Sequence, residues 1–185
     1  KEGIICLTAC GSGILARSIF DHNEDGEWQQ KVCRKEVVKL VSKLRSIFNE
    51  DLYLELQPHN LQVFQTSRKT GEFVLGKNGN KITVIDQRHI NKVLCSVSDE
   101  LNVKTGATAD IHYLNKEDAE VHDMLMAINQ KAPLSDKNRH RYEVNEFYMK
   151  TKGDIKEYFT EFKDEKFAEQ LCNTTMDIAE KCSES

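Results

Sequence analysis

The chain has 185 residues, 39% hydrophobic and 30% charged, with a mean hydropathy of −0.58 and a formal net charge of −4. That is enough for one well-buried core and short for two, and no apolar run approaches the ~20 residues that a bilayer requires. Residues 1–113 carry 15 Lys and Arg against 14 Asp and Glu, and residues 114–185 carry 11 against 16. Neither half has the basic footprint of a domain that grips nucleic acid by itself.

The chain opens Lys1-Glu2-Gly3, with no initiator methionine and no signal peptide, and is expected to be a piece of a longer protein. Residues 3–8 form a continuous apolar run suited to a buried parallel strand, followed by the loop Ala9-Cys10-Gly11-Ser12-Gly13. A short helix is predicted over 14–20, an acidic loop over 21–26, and a long amphipathic helix over 27–48 with Trp28, Val37, Val41, Leu44 and Phe48 inward. Leu52-Tyr53-Leu54-Glu55-Leu56 is the next strand, closed by Pro58, His59 and Asn60.

Residues 61–84 break this alternation with short β-like runs around 61–64, 72–75 and 81–84, and a strong turn signal at Gly76-Lys77-Asn78-Gly79-Asn80. Asp86 is the expected N-cap of a helix to about Leu101. A third main strand is predicted over 103–109. Asn115 is expected to cap a helix over 116–130 with Ala119, Met124, Leu125 and Ile128 on its apolar face. Short helices are predicted near 145–149 and 153–159. A last amphipathic helix over 165–182 has Phe167, Leu171, Met176 and Ile178 inward.

The six cysteines, Cys6, Cys10, Cys33, Cys95, Cys172 and Cys182, contain no C-x-x-C pair, and most sit in apolar-periodic segments. A reduced, cytoplasmic protein is expected. Three strand ends deliver the groups that could carry chemistry: Cys10, the Glu55 and His59 pair, and Asp110 with His112. On a strand, residues two apart share a face, so Asp110 and His112 are expected to project together. Thiolate, imidazole and carboxylate suit zinc, manganese or iron. Read from the residues alone, a lone Cys after a strand such as Cys10 is more often a buried thiol than a ligand, and Asp-x-His is common by chance.

Gly3-Ile4-Ile5-Cys6-Leu7-Thr8-Ala9-Cys10 resembles a segment of the polymerase and histidinol phosphatase (PHP) domain found at the N-terminus of bacterial replicative DNA polymerase III alpha subunits. Leu52-Tyr53-Leu54-Glu55-Leu56-Gln57-Pro58-His59 is similar to that family's Tyr-x-Glu-Leu-Gln-x-His stretch, and residues 107–123 are similar to its Asp-Val-His-Tyr-Leu stretch with the following helix. Leu134-Ser135-Asp136 with Arg139, Arg141 and Tyr142, then residues 147–150 and 173–182, resemble the segments leading toward the polymerase palm. The match is collinear except over residues 61–84.

The resemblance implies an α/β fold: a partial irregular (β/α)7 PHP barrel over 1–114, with a β-rich insertion at 61–84, followed by a helical segment over 115–185 that connects it to the palm. It implies Cys10, Asp110 and His112 as a partial metal-ligand set, with His59 a further candidate, and no catalytic residue in this piece. Zinc, manganese or iron would occupy that site in the full domain, and magnesium the palm that lies beyond. Arg139, Arg141 and Tyr142 are candidates for a nucleic-acid or domain contact.

The implied parent is a DNA-directed DNA polymerase of bacterial or phage type. Its partners would be the rest of the alpha subunit, DNA, a proofreading exonuclease and a sliding clamp, with no membrane. The family's opening His-x-His and further ligands precede the segment present here, so the piece alone is expected to be inactive and to leave a barrel edge open. The alternatives are a metal-dependent phosphoesterase acting as a 3′–5′ exonuclease, and a metal-free docking scaffold for a proofreading subunit. His22, His89 and His140 are expected to be solvated, and the acids at 117–123 to complement a helix N-terminus.

Overall fold

The computed structural model describes residues 3–20, 30–64, 72, 74–75, 79, 82–136, 139–142 and 144–183. The acidic loop with His22, Trp28, most of the 76–80 turn, Lys137 and Asn138 lie outside the described residues. In chain order the elements are β1 (Cys6–Leu7), α1 (Ile14–Ile19), α2 (Gln30–Phe48), β2 (Leu52–Leu56), β3 (Gln62–Phe64), β4 (Thr83–Asp86), α3 (Gln87–Leu101), β5 (Lys104–Ala107), α4 (Ala119–Gln130), α5 (Lys152–Phe162) and α6 (Glu165–Ser183). Among the described residues no helix is long and apolar enough to cross a membrane.

β1, β2 and β5 form one parallel sheet in the order β1-β2-β5, with Cys6 opposite Leu52, and Tyr53 to Leu56 opposite Lys104 to Ala107. Leu52, Tyr53, Leu54 and Leu56 are all buried, as befits a central parallel strand covered on both faces. β1 is shorter than the apolar run suggests. Among the described residues it lies at the sheet edge and pairs only with β2, and Ile4 is exposed. The expected α/β character is present; among the described residues the sheet has three strands and does not close into the expected barrel.

The other edge is capped by a helix. Thr175 of α6 accepts a hydrogen bond from the Ala107 N–H (3.2 Å), and its hydroxyl lies 2.9 Å from the Ala107 carbonyl oxygen. A side chain thereby takes the backbone groups that another strand would pair. Asn91 of α3 does the same at the end of β2: its amide donates to the Gln57 carbonyl (2.9 Å) and accepts from the Gln57 N–H (3.3 Å).

α1, α2 and α3 pack on one another, with α2 and α3 against β2, while α5 and α6 pack together, with α6 against β5. One core joins them, with Val37 and Val41 of α2, Leu94 and Val97 of α3, Phe159 of α5 and Leu171 of α6 all buried. α3 begins where Asp86 accepts from the His89 N–H (2.9 Å) and ends at a left-handed Asn102. β3 and β4 form an antiparallel pair, the described part of the 61–84 excursion.

Four sequence expectations are corrected. Residues 145–149 are extended rather than helical: Phe147 O accepts from the His112 N–H (2.8 Å), and Tyr113 bridges Tyr148 in parallel. The apolar side of α4 does not face the core, because Met124, Leu125 and Ile128 are exposed and only Ala127 is buried. Met176 of α6 is exposed, and the small Ala168, Cys172 and Thr174 fill the close contact instead. His89 is half-buried beside Phe20, with ring centroids 5.8 Å apart, and burial lowers its pKa.

Candidate functional site

Parallel strands place the turns after β1, β2 and β5 at one end of the sheet, and that rim holds the candidate residues. The turn after β1 bends at Ala9, whose φ is +66°, and closes with the Gly13 N–H on the Cys10 carbonyl (2.8 Å). A Cβ on Gly13 would lie 3.0 Å from both the Thr8 and Cys10 carbonyl oxygens, so only glycine fits there without moving the Cys10 backbone.

β5 ends at Ala107, before the predicted limit. Asp110 and His112 therefore stand on a loop and do not share a strand face. Asp110 takes a left-handed φ of +48°, which turns the chain so that His112 Nδ1 reaches back to the Asp110 carbonyl oxygen at 2.7 Å. Left-handed conformations at non-glycine residues cost roughly 1–2 kcal/mol each. Both strand-end turns carry one.

Glu55 ties the three strand ends together. Its carboxylate accepts from the Ala9 N–H (3.0 Å), from Gln57 Nε2 (3.2 Å) and from the Thr108 hydroxyl. Beyond Gln57 stands His59, buried, with Nε2 donating to Gln57 Oε1 (3.1 Å) and Nδ1 accepting from the Leu61 N–H (3.4 Å). Because the backbone N–H can only donate, Nδ1 is the bare nitrogen and Nε2 carries the proton. Both nitrogens of His59 are thus committed within the fold. Burial, with the nearby Lys150 charge, pushes its pKa down to about 4.

His112 lies in an aromatic cluster. Its ring is 4.9 Å from Phe147, 5.3 Å from Tyr142 and 5.6 Å from His122, centroid to centroid. The Tyr142 hydroxyl is 3.4 Å from His112 Nε2. Burial, then the charges of Asp110 and Cys10, raise the pKa of the Tyr142 phenol. Burial and the neighbouring His112 lower the pKa of His122. Cys10 thus stands on the turn after β1 and Asp110 with His112 on the loop after β5, and the group that meets His112 Nε2 is the Tyr142 hydroxyl.

The residues present do not fit a resident metal ion. Among the described residues no three His, Cys, Asp or Glu side chains gather as a metal-holding group. His59 has no free nitrogen, and His112 Nε2 faces a hydroxyl.

The basic stretch divides. Arg139 is buried and forms a two-point ion pair with Asp123 of α4, with Nη1 to Oδ1 at 2.6 Å and Nη2 to Oδ2 as its second contact. That pair holds the Asp123 carboxyl below the usual range. Arg141 is exposed, and it shares an open groove of about 660 Å³ with Met124, Leu134, Arg139, Tyr142 and Asn145. His140 is exposed and exchanges two backbone–side-chain hydrogen bonds with Gln130, each 2.8 Å. Sequence reasoning missed Tyr142 as a partner of His112. It also missed the Gln57–Asn91–Gln87 network, whose only sequence signal is polar residues at positions where the periodicity demands apolar ones.

The fold and rim define an α/β protein that gathers thiol, carboxylate and imidazole groups beyond the ends of parallel strands. No family model matches the chain. Curated proteins do: the DNA polymerase III alpha subunit of Borreliella burgdorferi is 32% identical over 184 residues, covering 100% of this chain. That of Campylobacter jejuni is 27% identical over 183 residues (99% of the chain), and that of Thermus aquaticus 30% over 137 residues (74%). The chain is homologous over its whole length to a segment of the DNA polymerase III alpha subunit. It spans 13%, 13% and 9% of the length of these three relatives.

Proposed function

We propose that this chain is a scaffold segment of a replicative DNA polymerase III alpha subunit, namely the C-terminal part of a PHP domain over 1–114 with the connection toward the palm over 115–185. Whole-length similarity to alpha subunits carries the reading. The three parallel strands are then part of an irregular barrel whose remaining strands come from outside this chain. Template-directed DNA synthesis belongs to the parent, in a cytoplasmic setting, with magnesium held in the palm. The remainder of the alpha subunit, DNA, a proofreading exonuclease and a sliding clamp are the partners this reading carries. Arg139, Arg141 and Tyr142, which line one groove, are the candidates for a phosphate or domain contact.

The scaffold reading is favoured over a phosphoesterase one by a specific observation: the ring nitrogens of His59 and His112 are engaged by Gln57, Leu61, the Asp110 carbonyl and Tyr142. A zinc, manganese or iron centre in the parent would need ligands from outside this chain.

Primer extension tests the reading. The parent alpha subunit is compared with a version lacking this segment, and with the two pieces expressed together. The segment alone is expected to extend no primer, its deletion to abolish extension, and co-expression to restore part of it. Unimpaired extension by the deletion variant would remove the segment from the polymerase scaffold.

A further inference from the structure

α4 is an amphipathic helix turned inside out. Val121, Met124, Leu125 and Ile128 recur at i, i+3, i+4 and i+7, which makes one stripe of a helix. All four are exposed, from 47% at Met124 to 72% at Ile128. The exposed Leu134 shares a groove with Met124, so the apolar surface continues past the stripe. Singly exposed apolar side chains are ordinary, but a row of them on one face marks a contact surface.

At 3.6 residues per turn, Asp123, Ala127 and Gln130 lie roughly opposite that stripe. This other side holds the helix to the body of the chain. Asp123 meets the buried Arg139 at two points, Ala127 is buried, and Gln130 exchanges two hydrogen bonds with His140. Asn115 and Asp118 form a reciprocal capping box at the start of the segment. Polar side chains therefore fix α4 from within, and its apolar row is presented outward on a firmly seated helix.

We propose that this stripe is the seat of a further segment of the alpha subunit, one that brings its own apolar row and a Lys or Arg toward the start of α4. The proposal rests on the scaffold reading above. Two observations select the occupant. The chain spans only 13% of the Borreliella and Campylobacter relatives that it matches over its whole length, so most of the polypeptide that could cover α4 lies outside these residues. Charge then disfavours a second copy. Glu117 and Glu120 are exposed at the N-terminal end of the stripe, and residues 114–185 carry 16 Asp and Glu against 11 Lys and Arg. Two-fold pairing would set two such acidic segments against each other, whereas a basic-flanked partner complements them.

Hydroxyl-radical footprinting of the parent alpha subunit, read by mass spectrometry, tests it. Oxidation of Met124, Leu125 and Ile128 is compared with that of the free peptide, and the buried Leu171 serves as the protected reference. The three residues are expected to be protected at least fivefold, equally so after hundredfold dilution. Weaker protection overturns the docking, and protection lost on dilution overturns the occupant in favour of a second copy. Leu125→Lys with Ile128→Lys is expected to expose Met124 in the parent while Leu171 stays protected; a Met124 still protected overturns the stripe as the seat. Glu117→Lys with Glu120→Lys is expected to lower the Met124 protection at least threefold, and an unchanged value overturns the basic partner. Primer extension separates this proposal from the scaffold reading. An unprotected stripe in a parent whose extension requires this segment overturns the docking alone, and a protected stripe in a parent that extends without the segment overturns the scaffold reading.

Discussion

α4 and α6 are both amphipathic helices of the C-terminal segment, and the fold treats them differently. α6 buries Ala168, Leu171 and Cys172 against β5 and α5, where Phe159 is fully enclosed. α4 leaves Val121, Met124, Leu125 and Ile128 exposed, with Ile128 72% accessible. What separates them is attachment. α6 supplies Thr175 to the open backbone of Ala107, and Ile178 comes 3.4 Å from where a Cβ on Gly106 would lie. α4 is held by polar tethers, the Asp123–Arg139 pair and the Gln130–His140 exchange. Apolar periodicity establishes that a face exists; hydrogen-bonding groups at a sheet edge decide which helix that edge recruits.

The largest expected effect lies in the buried block. Leu171 has no exposure, and Leu171→Ala should destabilise the chain by about 2–5 kcal/mol in urea unfolding, from lost transfer energy and the cavity left behind. A loss below about 1 kcal/mol would mean that α6 is not docked as described.

His59 sharpens the comparison at the rim. Its folded pKa of about 4 lies below the ordinary value of 6.5, because its site favours the neutral ring. The unfolded chain therefore binds the extra proton first as pH falls. The His59 contribution is complete above pH 6.5, declines between 6.5 and about 4, and amounts to about 3 kcal/mol at most. Urea midpoints across that range should fall in the wild type, and His59→Gln should flatten this part of the curve. An unchanged slope in the variant would move the pH dependence to other groups.

Thr175 isolates the edge contact. Thr175→Val keeps the shape and removes the hydroxyl, leaving the Ala107 N–H without its partner at a cost of about 1–3 kcal/mol. Thr175→Ser should retain most of the stability. If Val and Ser behave alike, packing rather than the hydrogen bond seats α6.

Local signals were legible where local physics decides. β2 appears at its predicted residues because five successive apolar or alternating positions end at Pro58. Asp86 caps α3, and Asn115 forms a reciprocal capping box with Asp118, as their side chains dictate. The extended 145–149 segment was not legible, since its hydrogen bonds go to His112, Tyr113 and Leu114, more than thirty residues earlier. That Cys10 and the Asp110–His112 pair follow β1 and β5 at the same end of a parallel sheet was legible from the strand pattern. The left-handed Asp110 in place of a strand, and the arrival of Tyr142 beside His112 from a distant loop, were not.

The smallest expected effect returns to α4. Leu125 and Ile128 are 60% and 72% exposed, so truncating either side chain removes little buried area from this chain. Leu125→Ala and Ile128→Ala should each shift its stability by less than about 0.5 kcal/mol, as surface substitutions do, and Ala is also the better helix former. Leu171→Ala serves as the internal scale, because it is the same leucine truncation made on the covered helix. Equal losses at positions 125 and 171 would mean that the α4 face is covered in solution, and the contrast between the two helices would be lost.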